Sequence, residues 1–322
     1  MKLNKSPLFW ARISTNLERI TTNKICVNSC AIRENSCFNV IFQCFLICFL
    51  VLFSQGCAPT YPTQADMIEG VKRLCKDEYG AEVKAKISGK TIGVYMPIKG
   101  LFNLKNMQLS KKALEKVDGV MLSVSRVALS GSREIDFYTV VTADEDVPGA
   151  EVILTRYVMD LRRFYFRDIS RGEFAKRMVV DVRFNPQAII DRWTGGFTVD
   201  EVKLEDFICQ QASRRITDEF GTKGDLVGKF KVAECTGRLQ NSIFVFNIDI
   251  AREGLPMSEL IHGKGWHEDV LLICGKIISR VIWSYSYKDF DKISILNKFD
   301  NKILEIEKKD INRYRKRKIK ME

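Results

Sequence analysis

Apolar residues in this chain recur in two rhythms, one helical and one alternating, and the rhythms change places in the same order twice. Met67, Val71, Leu74 and Cys75 fall at helical spacing, as do Ile208, Ala212, Ile216 and Phe220. Each run meets a glycine, Gly80 or Gly221, suited to a left-handed C-terminal cap. Alternation comes next. Val83, Ala85 and Ile87 lead to a turn at Ser88-Gly89, and Ile92, Val94 and Met96 run back; Phe230, Val232, Ile243 and Val245 repeat this in a longer hairpin. A second amphipathic helix is predicted by Leu114, Val117, Met121, Val124 and Ala128, and again by Val270, Cys274, Ile277 and Val281. Residues 137–143 with 151–154, and 292–296 with 303–306, predict a closing strand pair in each half, the second joined by a turn at Asp300-Asn301-Lys302.

Five landmarks recur in order about 141 to 154 residues apart, the signature of an internal duplication. Asp77-Glu78-Tyr79-Gly80 returns as Asp218-Glu219-Phe220-Gly221, and Ser88-Gly89-Lys90 as Thr236-Gly237-Arg238. Thr91-Ile92-Gly93-Val94-Tyr95 matches Ser242-Ile243-Phe244-Val245-Phe246, Ser125-Arg126-Val127 matches Ser279-Arg280-Val281, and Asp136-Phe137 matches Asp289-Phe290. The expected fold class is α+β: two tandem helix-strand-strand-helix-strand-strand modules, with antiparallel sheets and helices on one face. Module 1 is placed at residues 65–166, a helical connector at 167–201 and module 2 at 202–312. In the connector, Ser170-Arg171-Gly172-Glu173 reads as a capping box opening a short helix through about residue 180, with Asn185-Pro186 ending it or the segment after it. Trp193-Thr194-Gly195-Gly196 reads as a turn whose tryptophan packs between the modules.

The formal charge of +11 belongs to the ends. Residues 1–56 carry six basic and two acidic side chains and residues 308–322 carry eight and two, leaving about +1 for residues 57–307. A broad polyanion-binding surface is therefore not expected, and nucleic acid is an improbable partner. Residues 40–53 form an uncharged apolar run of fourteen preceded by basic residues, the length of a signal-peptide core and short of the roughly 18–20 residues that cross a bilayer.

Directly after that run, Ser54-Gln55-Gly56-Cys57 resembles the lipobox of bacterial lipoproteins. Gly56 and Cys57 match the family pattern; three places before the cysteine, where the family usually has Leu, stands Ser54, with Leu52 two places further back. The resemblance implies a signal peptide over residues 1–56, cleavage before Cys57, and lipid on the sulfur and amine of that residue. Two or more acyl chains give stable anchoring, since each buried methylene contributes about 0.8 kcal/mol. Residues 57–64, with Pro59 and Pro62, are expected to form an extended lipidated tether. Ala58, where the family commonly has Asp for inner-membrane retention, leans the implied location toward the outer membrane of a cell that has one. Residues 1–39 show neither helical nor strand periodicity, and a later translation start is expected.

Candidate chemistry is sparse. Gly89-Lys90-Thr91 resembles the end of a phosphate-binding loop, but Lys84 stands where the motif needs glycine, and the segment lies between two strands, so it reads as a turn. His262 and His267 are the only histidines; they sit in a glycine-rich approach to a helix and read as exposed loop residues. No cofactor or metal is expected, because no CxxC pair exists and the spacing of Cys26, Cys30 and Cys37 fits no zinc template. Cys75, Cys209, Cys235 and Cys274 read as small buried hydrophobes, with a disulfide in module 2 as the alternative.

Two functions compete on this basis. The first is a non-enzymatic envelope lipoprotein, bound to the membrane through Cys57, whose modules bind an envelope protein partner or assemble; their element order resembles the ring-building and secretin-associated domains of bacterial secretion lipoproteins. The second is an exported enzyme using Asp136, Asp289 and the Asp-Glu pairs in a cleft between the modules. The basic tail, residues 313–322, reads either as a solvated end or as a contact for anionic lipid or polymer.

Overall fold

The computed structural model describes residues 60–103, 108–147, 149–184, 197–222, 226–253 and 266–317. The fold is α+β. Contacts divide the chain into two units, the first comprising residues up to 153 with 157–175 and 182–199, the second 154–156, 176–181 and 200 onward.

The first unit opens with α1, Gln64–Tyr79, whose N-terminus is closed by a capping box between Thr63 and Asp66 and whose C-terminus ends on Gly80 at φ 57°. The hairpin β1 (Lys84–Ser88) and β2 (Thr91–Ile98) turns on Gly89 at φ 53°. After a short ribbon of β3 (Phe102–Asn103) and β4 (Gln108–Leu109) comes α2, Lys111–Ser130, capped by the Ser110 hydroxyl. The strands β5 (Phe137–Asp144) and β6 (Ala150–Tyr157), the short helices α3 (Val158–Tyr165) and α4 (Arg171–Lys176), and β7 (Val179–Phe184) complete the series. The sheet order is β1-β2-β5-β6-β7.

The second unit has α5 (Leu204–Thr222), the hairpin β8 (Phe230–Gln240) and β9 (Ile243–Arg252), α6 (Trp266–Ser284), and the pair β10 (Lys292–Asn297) and β11 (Lys302–Glu307). A single 3-10 turn, Lys308–Asp310, leads into a terminal helix α7, Ile311–Lys316. The sheet order is β11-β10-β9-β8. Both units thus have the helix-strand-strand-helix-strand-strand order. The hairpin partners β1–β2, β8–β9 and β10–β11 are antiparallel, and the two strand pairs of each unit join in parallel, β2 with β5 and β9 with β10. A helix between two neighbouring strands carries the chain back to the end from which it started, so the second strand must run the same way.

Each sheet buries one face under its helices. In the second unit Phe244, Phe246, Ile248, Ile293, Ile295 and Ile306 pack with Ile208, Ala212 and Ile216 of α5 and Val270, Cys274 and Ile278 of α6 in one cluster. The opposite faces differ between the units. In the first, Phe197 packs on Tyr95 and Val141 across the sheet, and Val199 fills the space over Gly93. In the second, the alternate positions Ile243, Val245, Asn247 and Asp249 remain partly exposed.

Several sequence expectations are corrected. Gly221 lies inside α5, which runs on to Thr222, so only Gly80 is a left-handed cap. Gly237 is in the middle of β8 against Phe246, and the matching turn is made by Asn241 and Ser242, both at positive φ. The β2 landmark is one residue out of register. Ile92 and Val94 point away from the Phe197–Val199 cover, whereas Ile243 and Val245, their expected counterparts, lie on the face away from the helices, where Phe244 and Phe246 do not. A shift of one residue exchanges the two faces of a strand. The Asp136 N–H donates to Lys90 O, and the equivalent bond in the second unit is made by Asp291, not Asp289, to Ser242 O. The connector helix stops at Lys176, and residues read as its end form β7. Its predicted start is right, with the Ser170 hydroxyl accepting from the Glu173 N–H at 3.2 Å. Residues 185–196, with Asn185-Pro186 and Trp193, lie outside the described residues.

Candidate functional site

Cys57 lies outside the described residues, but four positions later the chain is already fixed. Tyr61 is 8% exposed, fills the space over Gly70 and bridges Gly131. The Ser132 N–H donates to Tyr61 O at 3.0 Å, and the Ser132 hydroxyl donates to Pro62 O at 2.6 Å. The stretch expected as a tether through residue 64 is therefore part of the folded body from Tyr61, and Thr63 caps α1.

Three of the carboxylates singled out from the sequence, Glu78, Asp136 and Asp218, have a cation beside them. Glu78 receives both bonds from the Arg126 guanidinium at 2.7 Å, Asp136 lies 3.4 Å from Lys90, and Asp218 lies 3.8 Å from Arg214. Lys90 also donates to Glu134 at 2.7 Å, so the Gly89-Lys90-Thr91 segment is a hairpin turn whose lysine is held by two acids.

His267 is not an exposed loop residue. It is the second residue of α6, 1% exposed, stacked 3.7 Å from the Trp266 ring, with Nδ1 2.5 Å from Asp300 Oδ2. The other Asp300 oxygen accepts from the Lys302 N–H at 3.1 Å, which shapes the β10–β11 turn. This cluster was missed in the sequence because Asp300 read as a turn residue and the histidine as part of a polar loop. With both side chains largely shielded from solvent, this contact joins the start of α6 to the β10–β11 turn. His262 lies outside the described residues.

Three of the thiols are buried and Cys235 is half-buried. Cys75, Cys209, Cys235 and Cys274 are all free, so no disulfide joins the described cysteines. Burial pushes the Cys75 and Cys235 thiols up to about 11 and Cys209 to about 12, and raises Cys274 well above its ordinary value. A thiol held protonated is a poor nucleophile and a poor metal ligand. Among the described residues no three His, Cys, Asp or Glu side chains converge as a metal site, and no described helix is long and apolar enough to cross a membrane.

The basic tail is structured as far as Arg317. α7 packs against α6, burying Ile311 and Tyr314 at 8% exposure each, with the Tyr314 ring close to Gly275. Its cations stay outside. The Arg315 guanidinium lies 3.8 Å from the ring of Trp283, which is 51% exposed, and the Arg280 Nε donates to Arg315 O at 3.0 Å. Beside Trp283 a groove of about 220 Å³ is lined by Tyr287, Lys288, Phe290, Lys308 and Ile311. An exposed aromatic, an apolar groove and several cations meet on this surface.

Comparison of the chain with protein-family models, with curated proteins and with solved structures gives no match.

Proposed function

We propose that this chain is a lipid-anchored lipoprotein of the cell envelope, held by lipid on Cys57, whose two duplicated α+β units serve as a non-enzymatic binding or assembly module. The observation that carries the reading is the order of three features: basic residues, a fourteen-residue uncharged apolar run, and Gly56-Cys57 directly after it. The anchoring of Tyr61 four residues beyond Cys57 supports it, since a lipid at Cys57 would leave the body a short lead from the bilayer surface. The ion pairs of Glu78, Asp136 and Asp218 and the protonated thiols favour binding over catalysis.

Intact-mass and lipid-labelling analysis of the native protein beside Cys57→Ala, traced through membrane fractionation, tests this. The expected product begins at lipidated Cys57, and the variant loses the lipid and accumulates unprocessed. A chain that retains residues before Cys57 without lipid overturns the proposal.

A further inference from the structure

The surface at the C-terminal end of α6 combines three properties that the sequence did not bring together. Trp283, in the last turn of that helix, is half exposed. The adjoining groove supplies an apolar floor from Phe290, Tyr287 and Ile311. Its rim is cationic: the Lys308 ammonium donates to Lys288 O and sits 5.6 Å from the Phe290 ring centroid, and six basic residues against one acid lie between Lys308 and Arg317. The single acid of that stretch, Asp310, is 4.0 Å from Arg313. Glu205, Asp289 and Asp206 lie at the Tyr287 end, where after burial they help to raise the Tyr287 phenol from its ordinary value. The cations therefore dominate the Trp283 and α7 side.

We infer that this face, built from Trp283, Lys288, Lys308, Arg313, Arg315 and Lys316, docks on the headgroups of an anionic phospholipid bilayer. Tryptophan concentrates at the membrane–water boundary, where an apolar body and a polar N–H are both satisfied. Each lysine or arginine near an anionic leaflet contributes on the order of 1 kcal/mol, and long basic side chains lay their stems on apolar surface while the charge reaches the phosphates. The choice of lipid over single-stranded nucleic acid rests on Trp283 itself. Arg315 covers one face of its ring at 3.8 Å, which leaves at most one face as a stacking platform for a base, and a run of bases needs several such platforms. The docking of α7 by Ile311 and Tyr314 fixes the cations in one place, so they act as a surface and not as a loose tail.

This inference uses the envelope reading for its setting, but its test does not depend on lipidation. The full-length chain carrying Cys57→Ala is sedimented with vesicles of phosphatidylcholine alone and of phosphatidylcholine mixed with phosphatidylglycerol. The leader adds the same background to every variant, so the comparison is between variants. R313E/R315E/K316E is expected to lower binding to the anionic vesicles by at least about tenfold with little change on the neutral ones. Lys308→Gln with Lys316→Gln, which remove charge without reversing it, should give a smaller loss in the same direction and serve if the triple variant misfolds. Brominated lipid should quench fluorescence in the parent, and Trp283→Phe should remove a distinct part of that quenching, the remainder belonging to Trp10 of the leader, which every variant keeps. Unchanged anionic binding in both charge variants, quenching that Trp283→Phe leaves unaltered, or stronger retention on a single-stranded oligonucleotide than on anionic vesicles would each overturn the assignment.

Discussion

The side-chain amide of Asn297 takes the place of a missing strand partner for Ile250. Its Oδ1 accepts from the Ile250 N–H at 3.2 Å and its Nδ2 donates to Ile250 O at 3.3 Å, with both residues fully buried. The parallel ladder ends where Asn297 meets Ile248, and the amide extends it by one more pair. Asp144 ends the parallel ladder of the first unit opposite Ile98. There the carboxylate only accepts, from the Phe102 N–H at 2.7 Å and the Asp146 N–H at 2.8 Å. An acid suits the Asp144 site and an amide the Asn297 site because only the latter must also donate. Asn297→Asp is expected to destabilise the protein by about 1–3 kcal/mol in denaturant titration, since it sets a carboxylate against a buried carbonyl. Asp144→Asn should destabilise as well, by turning an amide N–H toward another N–H. A neutral result for both would show that these side chains do not close the ladders.

His267 and Asp300 provide a second test. The two are buried and 2.5 Å apart, linking the first turn of α6 to the β10–β11 turn. A cycle of His267→Ala, Asp300→Ala and the double variant is expected to give a coupling energy of about 0.5–3 kcal/mol. A coupling near zero would reduce the contact to coincidental proximity.

Gly93 is required by what covers it. A Cβ there would stand 1.8 Å from Val199 Cγ2. Gly93→Ala is expected to cost about 1–3 kcal/mol by overpacking. Trimming the neighbour in Gly93→Ala/Val199→Ala should recover part of the loss, as a thermal melt of the three proteins would reveal; no recovery would mean that the strain lies elsewhere.

The buried thiols make stability depend on alkaline pH. Burial raises Cys75 and Cys235 to about 11 and Cys209 to about 12 from an ordinary value of 9.0. The folded state therefore keeps protons that the unfolded state has released. This contribution is complete below pH 9 and is lost as pH rises through about 11 to 12. Denaturation midpoints should fall across that window, and a Cys75→Ala/Cys209→Ala variant should show a shallower fall. At neutral pH an alkylating reagent should leave Cys75, Cys209 and Cys274 untouched until the chain is unfolded; rapid labelling of these three in the native protein would contradict their burial.

Much of the order of elements was legible in the spacing of side chains. Met67, Val71 and Cys75 mark α1, and Leu114, Val117, Met121 and Val124 mark α2, because a helix must bring every third or fourth residue to its buried stripe. The hairpin at Gly89 was readable from alternation on either side of a turn dipeptide. Strand parity was readable within each strand and failed between copies: matching Ile92 to Ile243 suited the residue types, yet Phe244 is the one that faces the helices. Several different apolar residues satisfy a buried position, so similarity of type locates a strand without locating its phase. Of the candidate surface, the charge of the tail was visible, while the exposed Trp283 beside it was not, since it stands off the stripe of Val270, Cys274, Ile277 and Val281 and nothing local brings it to the tail.

The sequence by itself determined that the body is α+β, that its helix-and-hairpin pattern occurs twice, and where the four long helices and the principal hairpins lie, because these depend on periodicities of 3.6 and 2 that neighbouring residues impose on one another. Only the tertiary structure decided that the hairpins join in parallel, that Phe197 and Val199 cover one sheet, that His267 is sealed against Asp300, and that a basic helix folds back to flank Trp283. Each of these joins segments far apart along the chain or chooses between two faces of one element. Such choices are settled by which apolar surfaces cover each other and which buried polar groups find partners, quantities that local spacing does not contain.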